Sequence, residues 1–135
     1  MEDKVTIDTN LWVYLYAKHP LDKYLKVREL VSDRFEAILV STQIVGELYH
    51  VLTRKKFTTQ AQAKQIVLDI VANFLVVEID TAKVVKAVQI NSRYGYSYWD
   101  SLVVATALIA DCSILYSEDL QHNQVIEKMR IVNPF

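Results

Sequence analysis

Ser97 to Asp119 reads SYWDSLVVATALIADCSILYSED, and this stretch holds a helix, a strand and four acids in an order that decides the fold. Ser97 is a good helix N-cap, with Asp100 three residues on, as in a capping box. From Tyr98 to Asp111 the chain is apolar nearly all round, so the spacing predicts a central, buried helix without a solvent face. Ser113 to Tyr116 then reads as a strand. A helix buried on every side and feeding directly into a strand belongs to a layered α/β domain.

The same alternation continues outward in both directions. Val5-Thr6-Ile7 is a short β-branched strand ending at Asp8, followed by a helix from Asn10 to Ala17 that Pro20 closes. A helix is expected from Leu21 to Phe35, with Leu21, Leu25, the stem of Arg28, Leu30 and Val31 inward. Ala37 to Val40 is an apolar strand, and Ser41 or Thr42 caps a helix from Gln43 to Lys55 with Ile44, Leu48, Val51 and Leu52 as its core stripe. Thr58-Thr59 opens a further helix to Phe74, with Ala63, Ile66, Val67, Ile70 and Val71 inward. Leu75 to Ile79 reads as a strand, and Asp80 or Thr81 caps a helix to Arg93 before the turn Tyr94-Gly95-Tyr96. Beyond the opening stretch, Gln121 to Lys128 is expected to be a short helix and Met129 to Val132 a closing strand. The whole predicts an α/β three-layer sandwich, with a mainly parallel central sheet flanked by helices, as a single domain over residues 1–135.

Composition narrows the chemistry. The 135 residues contain only Gly46 and Gly95, so neither a P-loop nor a dinucleotide-type phosphate loop can be built. The net charge of -1 gives no broad basic footprint for nonspecific nucleic-acid binding. The longest apolar run, Leu102 to Ala110, broken by Thr106, falls well short of the about 20 residues that cross a bilayer. Met1-Glu2-Asp3-Lys4 carries acids and is not expected to be a signal peptide. The lone Cys112 has no internal disulfide partner, which fits a reducing cytoplasm.

Four acids occupy telling places. Asp8 ends the first strand, and Asp119 follows the strand Ile114-Leu115-Tyr116, so both lie at the carboxyl edge of a parallel sheet, where ligands bind. Asp100, in the first turn of the buried helix, faces the same pole. Glu47 sits on the shoulder of an apolar stripe, a costly place for an acid without compensation. Singly, each has an ordinary explanation: Asp8 and Asp119 as helix caps, Asp100 as part of a capping box, Glu47 as a surface acid paired with Arg54 or a lysine. Together at one pole they would repel one another, and a hard divalent cation such as Mg²⁺ or Mn²⁺ relieves that repulsion. His19, His50 and His122 lack the mutual spacing of a zinc site.

The segments Val5-Thr6-Ile7-Asp8-Thr9-Asn10, Glu47-Leu48, Tyr98-Trp99-Asp100-Ser101-Leu102 with Ala105 and Ala107, and Ser117-Glu118-Asp119-Leu120 resemble PIN-domain motifs in their order. The resemblance spans essentially the whole chain, and the size suits the VapC toxin subfamily. It implies a metal-dependent endoribonuclease, using Mg²⁺ or Mn²⁺, that leaves a 5′-phosphate and a 3′-hydroxyl. Carried across, Asp8, Asp100 and Asp119 hold the metal directly or through water, and Glu47 orients or deprotonates the attacking water. Thr9, Asn10 and Ser117 resemble the supporting polar positions. The resemblance also implies a homodimer and an antitoxin partner whose tail lies over the acids.

Several other features are open to two readings. Arg54-Lys55-Lys56 either complements a helix dipole or offers an RNA-phosphate contact at the rim. Trp99 is expected in the core or a dimer contact, with base stacking as the alternative. Tyr94, Tyr96 and Tyr98 form an alternating aromatic run with the character of an interface. Among other functions, an aspartyl-phosphate phosphatase would want a second acid where Asn10 stands. A response-regulator receiver needs an acidic pair and a late lysine, and neither pattern is met. A catalytically silent PIN interaction module sits poorly with four retained acids.

Overall fold

The computed structural model describes residues 3–135, so Met1 and Glu2 of the amino-terminal segment lie outside it. Six strands form one sheet in the order β3-β2-β1-β4-β6-β5. They are β1 (Val5–Ile7), β2 (Ile38–Ser41), β3 (Leu75–Val77), β4 (Ile114–Tyr116), β5 (Val125–Ile126) and β6 (Met129–Val132). Every pairing is parallel except β5 with β6. The helices are α1 (Thr9–Ala17), α2 (Leu21–Arg34), α3 (Thr42–Arg54), α4 (Gln60–Asn73), α5 (Thr81–Tyr94) and α6 (Tyr98–Ile109). No helix among the described residues is long and apolar enough to cross a membrane.

Chain order and sheet order diverge at β1. The chain moves from β1 outward to β2 and β3, then returns to place β4 on β1's other side, with Val5, Thr6 and Ile7 in register with Ile114, Leu115 and Tyr116. That reversal opens a crevice at the carboxyl ends of β1 and β4, the usual ligand position in open α/β sheets. Asp8 and Ser117 are the first residues beyond those two strands.

Local sequence explains the elements. Ser41, Thr59, Asp80 and Ser97 each accept a backbone N–H as helix N-caps, and Thr59 with Gln62 completes a capping box. Gly95 closes α5 at φ +75°, a left-handed position that glycine takes without steric cost. Helix α6 is buried continuously from Ser101 to Ala107, as its all-round apolar sequence predicts. On α3, Ile44, Leu48 and Leu52 are buried and Val51 packs against them at the margin. Trp12 is fully buried, and its indole N–H donates to the Ile7 carbonyl at 3.0 Å, tying α1 to the strand that carries Asp8.

Three expectations are corrected. Gln121–Lys128 is not a helix: the chain turns, forms β5 at Val125–Ile126, and pairs back onto β6 with Ile126 opposite Met129. The β-branched pair prefers a strand, and Asn123 and Glu127 take φ values of +67° and +54°, which no helix tolerates. The inward face of α2 is also rotated. Leu21 and Leu25 are exposed, while Val27 is buried and Leu30 and Val31, as expected, pack against the core; a 27–30–31 spacing faces inward, without 21, 25 or 28. On α4, Ala63 and Ile70 are buried but Val71 is exposed. Smaller shifts move Ala37 into a 3-10 turn and end β3 at Val77.

Candidate active site

Asp8 is 7% exposed and both carboxylate oxygens are engaged. Oδ1 accepts the Thr9 N–H at 2.8 Å as the N-cap of α1, and Oδ2 accepts the Ser117 hydroxyl at 2.9 Å. The helix-cap reading of Asp8 therefore accounts for one oxygen only. Ser117 is fully buried, and its Oγ also accepts the Asp119 N–H at 3.2 Å. Asn10 Nδ2 donates to Asp119 Oδ2 at 2.9 Å. Asp8, Asn10, Ser117 and Asp119 thus form one connected network across the β1–β4 crevice. Asp119 caps no helix, because none follows it.

The other two acids stand on α3 and α6. Ser41 Oγ accepts the Ile44 N–H at 3.1 Å and fixes the start of α3, one turn before half-buried Glu47. The Thr9 hydroxyl reaches Glu47 Oε1 at 3.5 Å, the long limit of a hydrogen bond. Ser97 Oγ accepts the Asp100 N–H at 3.1 Å, the capping contact expected from the sequence. Among the described residues the Asp100 carboxylate has neither a hydrogen-bond nor an ion-pair partner. Gln43 Nε2 donates to the Trp99 carbonyl at 3.1 Å and links α3 to the first turn of α6.

Electrostatics join the two pairs. Burial pushes the Asp8 carboxyl up to about 6; the Thr9 N–H and Ser117 hydroxyl oppose that, and the charges of Asp100 and Asp119 add to it. Glu47 is raised by burial and further by Asp100, with Gln43 and Thr9 hydrogen bonds opposing. Asp119 is raised by burial, then by Glu118 and Asp100. Asp100 is the repulsive neighbour common to all three.

Among the described residues, no three His, Cys, Asp or Glu side chains converge into a ready-made ligand cage. The donors facing the crevice are carboxylate and hydroxyl oxygens, with Asp8 buried and uncompensated by any cation. That set fits a hard divalent ion, which uses one or two carboxylates and keeps water and substrate phosphate oxygens in its shell. It does not fit zinc: all three histidines are exposed, and His122 Nδ1 accepts the Asn133 N–H at 2.9 Å.

Other candidate residues lie apart from the acids or point away. Arg54, Lys55 and Lys56 are exposed at the carboxyl end of α3, about 10 Å along the axis from Glu47 at 1.5 Å per residue. Trp99 is 62% exposed, which overturns the core position and leaves the dimer contact of the same expectation. Tyr94 and Tyr96 stack at 5.8 Å and, with Tyr98, pack against the core rather than forming a bare aromatic face. Glu118 turns away from the crevice, to Tyr14 and Lys23. An apolar surface hollow, lined by Val45, Tyr49, Lys64, Val67 and Leu68 between α3 and α4, contains none of the acids. Sequence reasoning missed Gln43, although its i,i+4 spacing to Glu47 was a usable signal. Tyr14 and Lys23 carried no signal, because their partner is 104 and 95 residues away.

The class of domain is thus a mainly parallel α/β sheet with Asp8 and Asp119 linked through Ser117 at its switch point. The PIN-domain family model matches residues 5–128, and the chain belongs to that family. None of the curated proteins matches it. Among solved structures, a toxin–antitoxin complex from Klebsiella pneumoniae is similar at TM-score 0.75 and 16% identity, over 98% of each chain. DNA-bound VapBC from Salmonella typhimurium is similar at TM-score 0.74 and 18% identity, over 99% of this chain and 100% of that one. VapC20 of Mycobacterium tuberculosis, a toxin that cleaves the sarcin–ricin loop, is similar at TM-score 0.70 and 16% identity, over 83% and 87%. At such identities these likenesses establish the fold.

Proposed function

We propose that this chain is a metal-dependent endoribonuclease, acting in the cytoplasm as the toxin of a VapBC-type toxin–antitoxin pair. The observation that carries the reading is the buried Asp8 carboxylate, bonded through Ser117 to Asp119 and sharing the repulsion of Asp100. Asp8, Asp100 and Asp119 would hold Mg²⁺ or Mn²⁺, directly or through water. When bound, such an ion polarises the scissile phosphate and offsets the negative charge that develops in hydrolysis.

The chain's own groups supply the rest. Glu47, whose proton affinity is raised by burial, accepts a proton from the attacking water. The water oxygen bonds to phosphorus, the bond from phosphorus to the 3′-oxygen breaks, that oxygen takes a proton from solvent, and Glu47 returns its own to solvent. The products are a 5′-phosphate and a 3′-hydroxyl, with no part for the ribose 2′-hydroxyl. Ser117 and Asn10 keep Asp8 and Asp119 in place, and Thr9 does the same more loosely for Glu47. Arg54, Lys55 and Lys56, away from the acids, are left to contact more distant RNA phosphates. A partner with a basic tail suits a pole of four acids, and the homodimer follows from the likeness to VapC proteins alone.

The test is to incubate purified protein with RNA and Mg²⁺ or Mn²⁺ and to analyse the product ends. Cleavage leaving 5′-phosphates, and abolished by a chelator, is expected. Cleavage that persists in chelator, or that leaves 2′,3′-cyclic phosphates, would overturn the mechanism. Stable phosphorylation of Asp8 by acetyl phosphate would favour the aspartyl-phosphate chemistry instead.

A further inference from the structure

Asp119 sits on the β4–β5 connection, residues 117–124, which has no helix or strand of its own. The leading residues of this loop alternate in direction. Ser117 and Asp119 turn to Asp8 and Asn10, inside the crevice. Glu118 turns to the opposite side, against α1 and α2. There its Oε1 accepts the Tyr14 hydroxyl and its Oε2 accepts Lys23 Nζ at 2.7 Å. Lys23 Nζ also lies 4.9 Å from the Tyr14 ring centre and 5.0 Å from that of Phe135, and the two rings meet edge to face at 5.9 Å.

The arrangement differs from an ordinary surface ion pair, which contributes little. Glu118's side chain is 15% exposed and Lys23's 31%, and aromatic rings cover the cation. Of the three ion pairs among the described residues, this one alone touches the acidic loop. Asp119 meets negative charge from Asp100 and from its own neighbour Glu118. Repulsion of that kind pushes an irregular loop away from the crevice, against the bonds of Asn10 and Ser117 on its inner side. Lys23 neutralises Glu118, and the two donors fasten the loop's outer side to α1 and α2.

We propose that Tyr14 and Lys23 are positioning residues, which act through Glu118 to hold the Asp119 loop in its cation-binding conformation. The proposal rests on the nuclease reading only for what the loop binds. The test uses the full chain with Lys23→Met, Glu118→Gln, the double variant, and Lys23→Arg. Mn²⁺ affinity is measured by calorimetric titration, and amide hydrogen exchange across 117–124 is measured without metal. Lys23→Met and Glu118→Gln should each bind Mn²⁺ roughly tenfold more weakly, as loss of supporting contacts to metal ligands generally does. Exchange should speed up in 117–124 and not in α6. The double variant should be no worse than either single, and Lys23→Arg should recover most of the affinity.

Additive losses, or unchanged affinity and unchanged exchange, would overturn the proposal. So would an outcome in which Lys23→Met alone raises KM for RNA while loop protection stays intact, since Lys23 would then be touching phosphate directly. If the wild type neither binds Mn²⁺ nor cuts RNA, the nuclease reading fails, and exchange across 117–124 still decides whether the loop is held this way. Should Lys23→Met fail to fold, Tyr14→Phe removes one bond to Glu118 and gives the same comparison.

Discussion

Two tryptophans mark the two halves of the acidic site, and they are opposites. Trp12, beside Asp8, is completely buried and bonds the Ile7 carbonyl at 3.0 Å. Trp99, beside Asp100, is 62% exposed. The acids follow the same division. Asp8 and Asp119 are joined through Ser117, and Asn10 bonds Asp119, at 2.9 to 3.2 Å, whereas Glu47 has a 3.5 Å contact from Thr9 and a bond from Gln43 on its own helix. One half of the site is built into the sheet; the other is carried on helix surfaces facing it. In the proposed nuclease, the preorganised half would fix where an ion sits, and the looser half would leave room for substrate to enter.

The difference is most sharply broken at the tryptophans. Trp12→Ala should cost about 3 to 5 kcal/mol of stability, the range for large aromatic truncation in a core. Trp99→Ala should change stability by no more than about 0.5 kcal/mol. Denaturant melts of both variants check this, and comparable losses would mean that Trp99 is covered.

Asp8 gives the next largest effect, through pH. Its folded-state pKa of about 6 lies above the ordinary 3.8, so between those values the folded chain holds the proton more tightly than the unfolded chain. Stability from this group is therefore present at low pH and lost as pH rises through about 6, a loss of about 3 kcal/mol in the metal-free protein. Asp8→Asn escapes that loss. It should be more stable than wild type at pH 7.5, with the gain shrinking towards pH 4, as thermal melts without metal would show. Equal stability at both pH values would mean that Asp8 is not buried against its charge.

Within the built-in half, Ser117→Ala removes the one hydroxyl that touches both Asp8 and Asp119. RNA cleavage should fall by about 10- to 100-fold, as for other groups that orient metal ligands. In the looser half, Thr9→Val should cost less than about threefold, because a 3.5 Å contact contributes little. Steady-state cleavage by the two variants side by side tests the ranking, and a larger loss at Thr9 would reverse it.

The built-in half was also the legible one. Asp8 and Asp119 follow β-branched or apolar strands, and a parallel sheet sends both strand ends to one edge, so residue pattern and topology together locate them. Asp100 was legible from Ser97 and the all-round apolar helix. Glu47 was suspected as an acid on an apolar shoulder, but its contact to Thr9 depends on helix packing that periodicity does not contain. The Tyr14–Lys23–Glu118 contact was illegible for a similar reason: it joins segments some hundred residues apart through side chains that look like ordinary surface residues. The missed hairpin at Val125–Ile126 shows the converse. Two β-branched residues and two left-handed positions outweighed a polar stretch that read as helix.

The measurement that bears most directly on the acidic site is calorimetric titration of Mn²⁺ into wild type and Asp8→Asn at pH 7.5, with RNA cleavage assayed on the same samples. Wild type should bind Mn²⁺ and cleave, while the folded Asp8→Asn protein should lose both by at least about a hundredfold. Equal Mn²⁺ affinity in the two proteins, or full cleavage by Asp8→Asn, would contradict a cation site centred on Asp8.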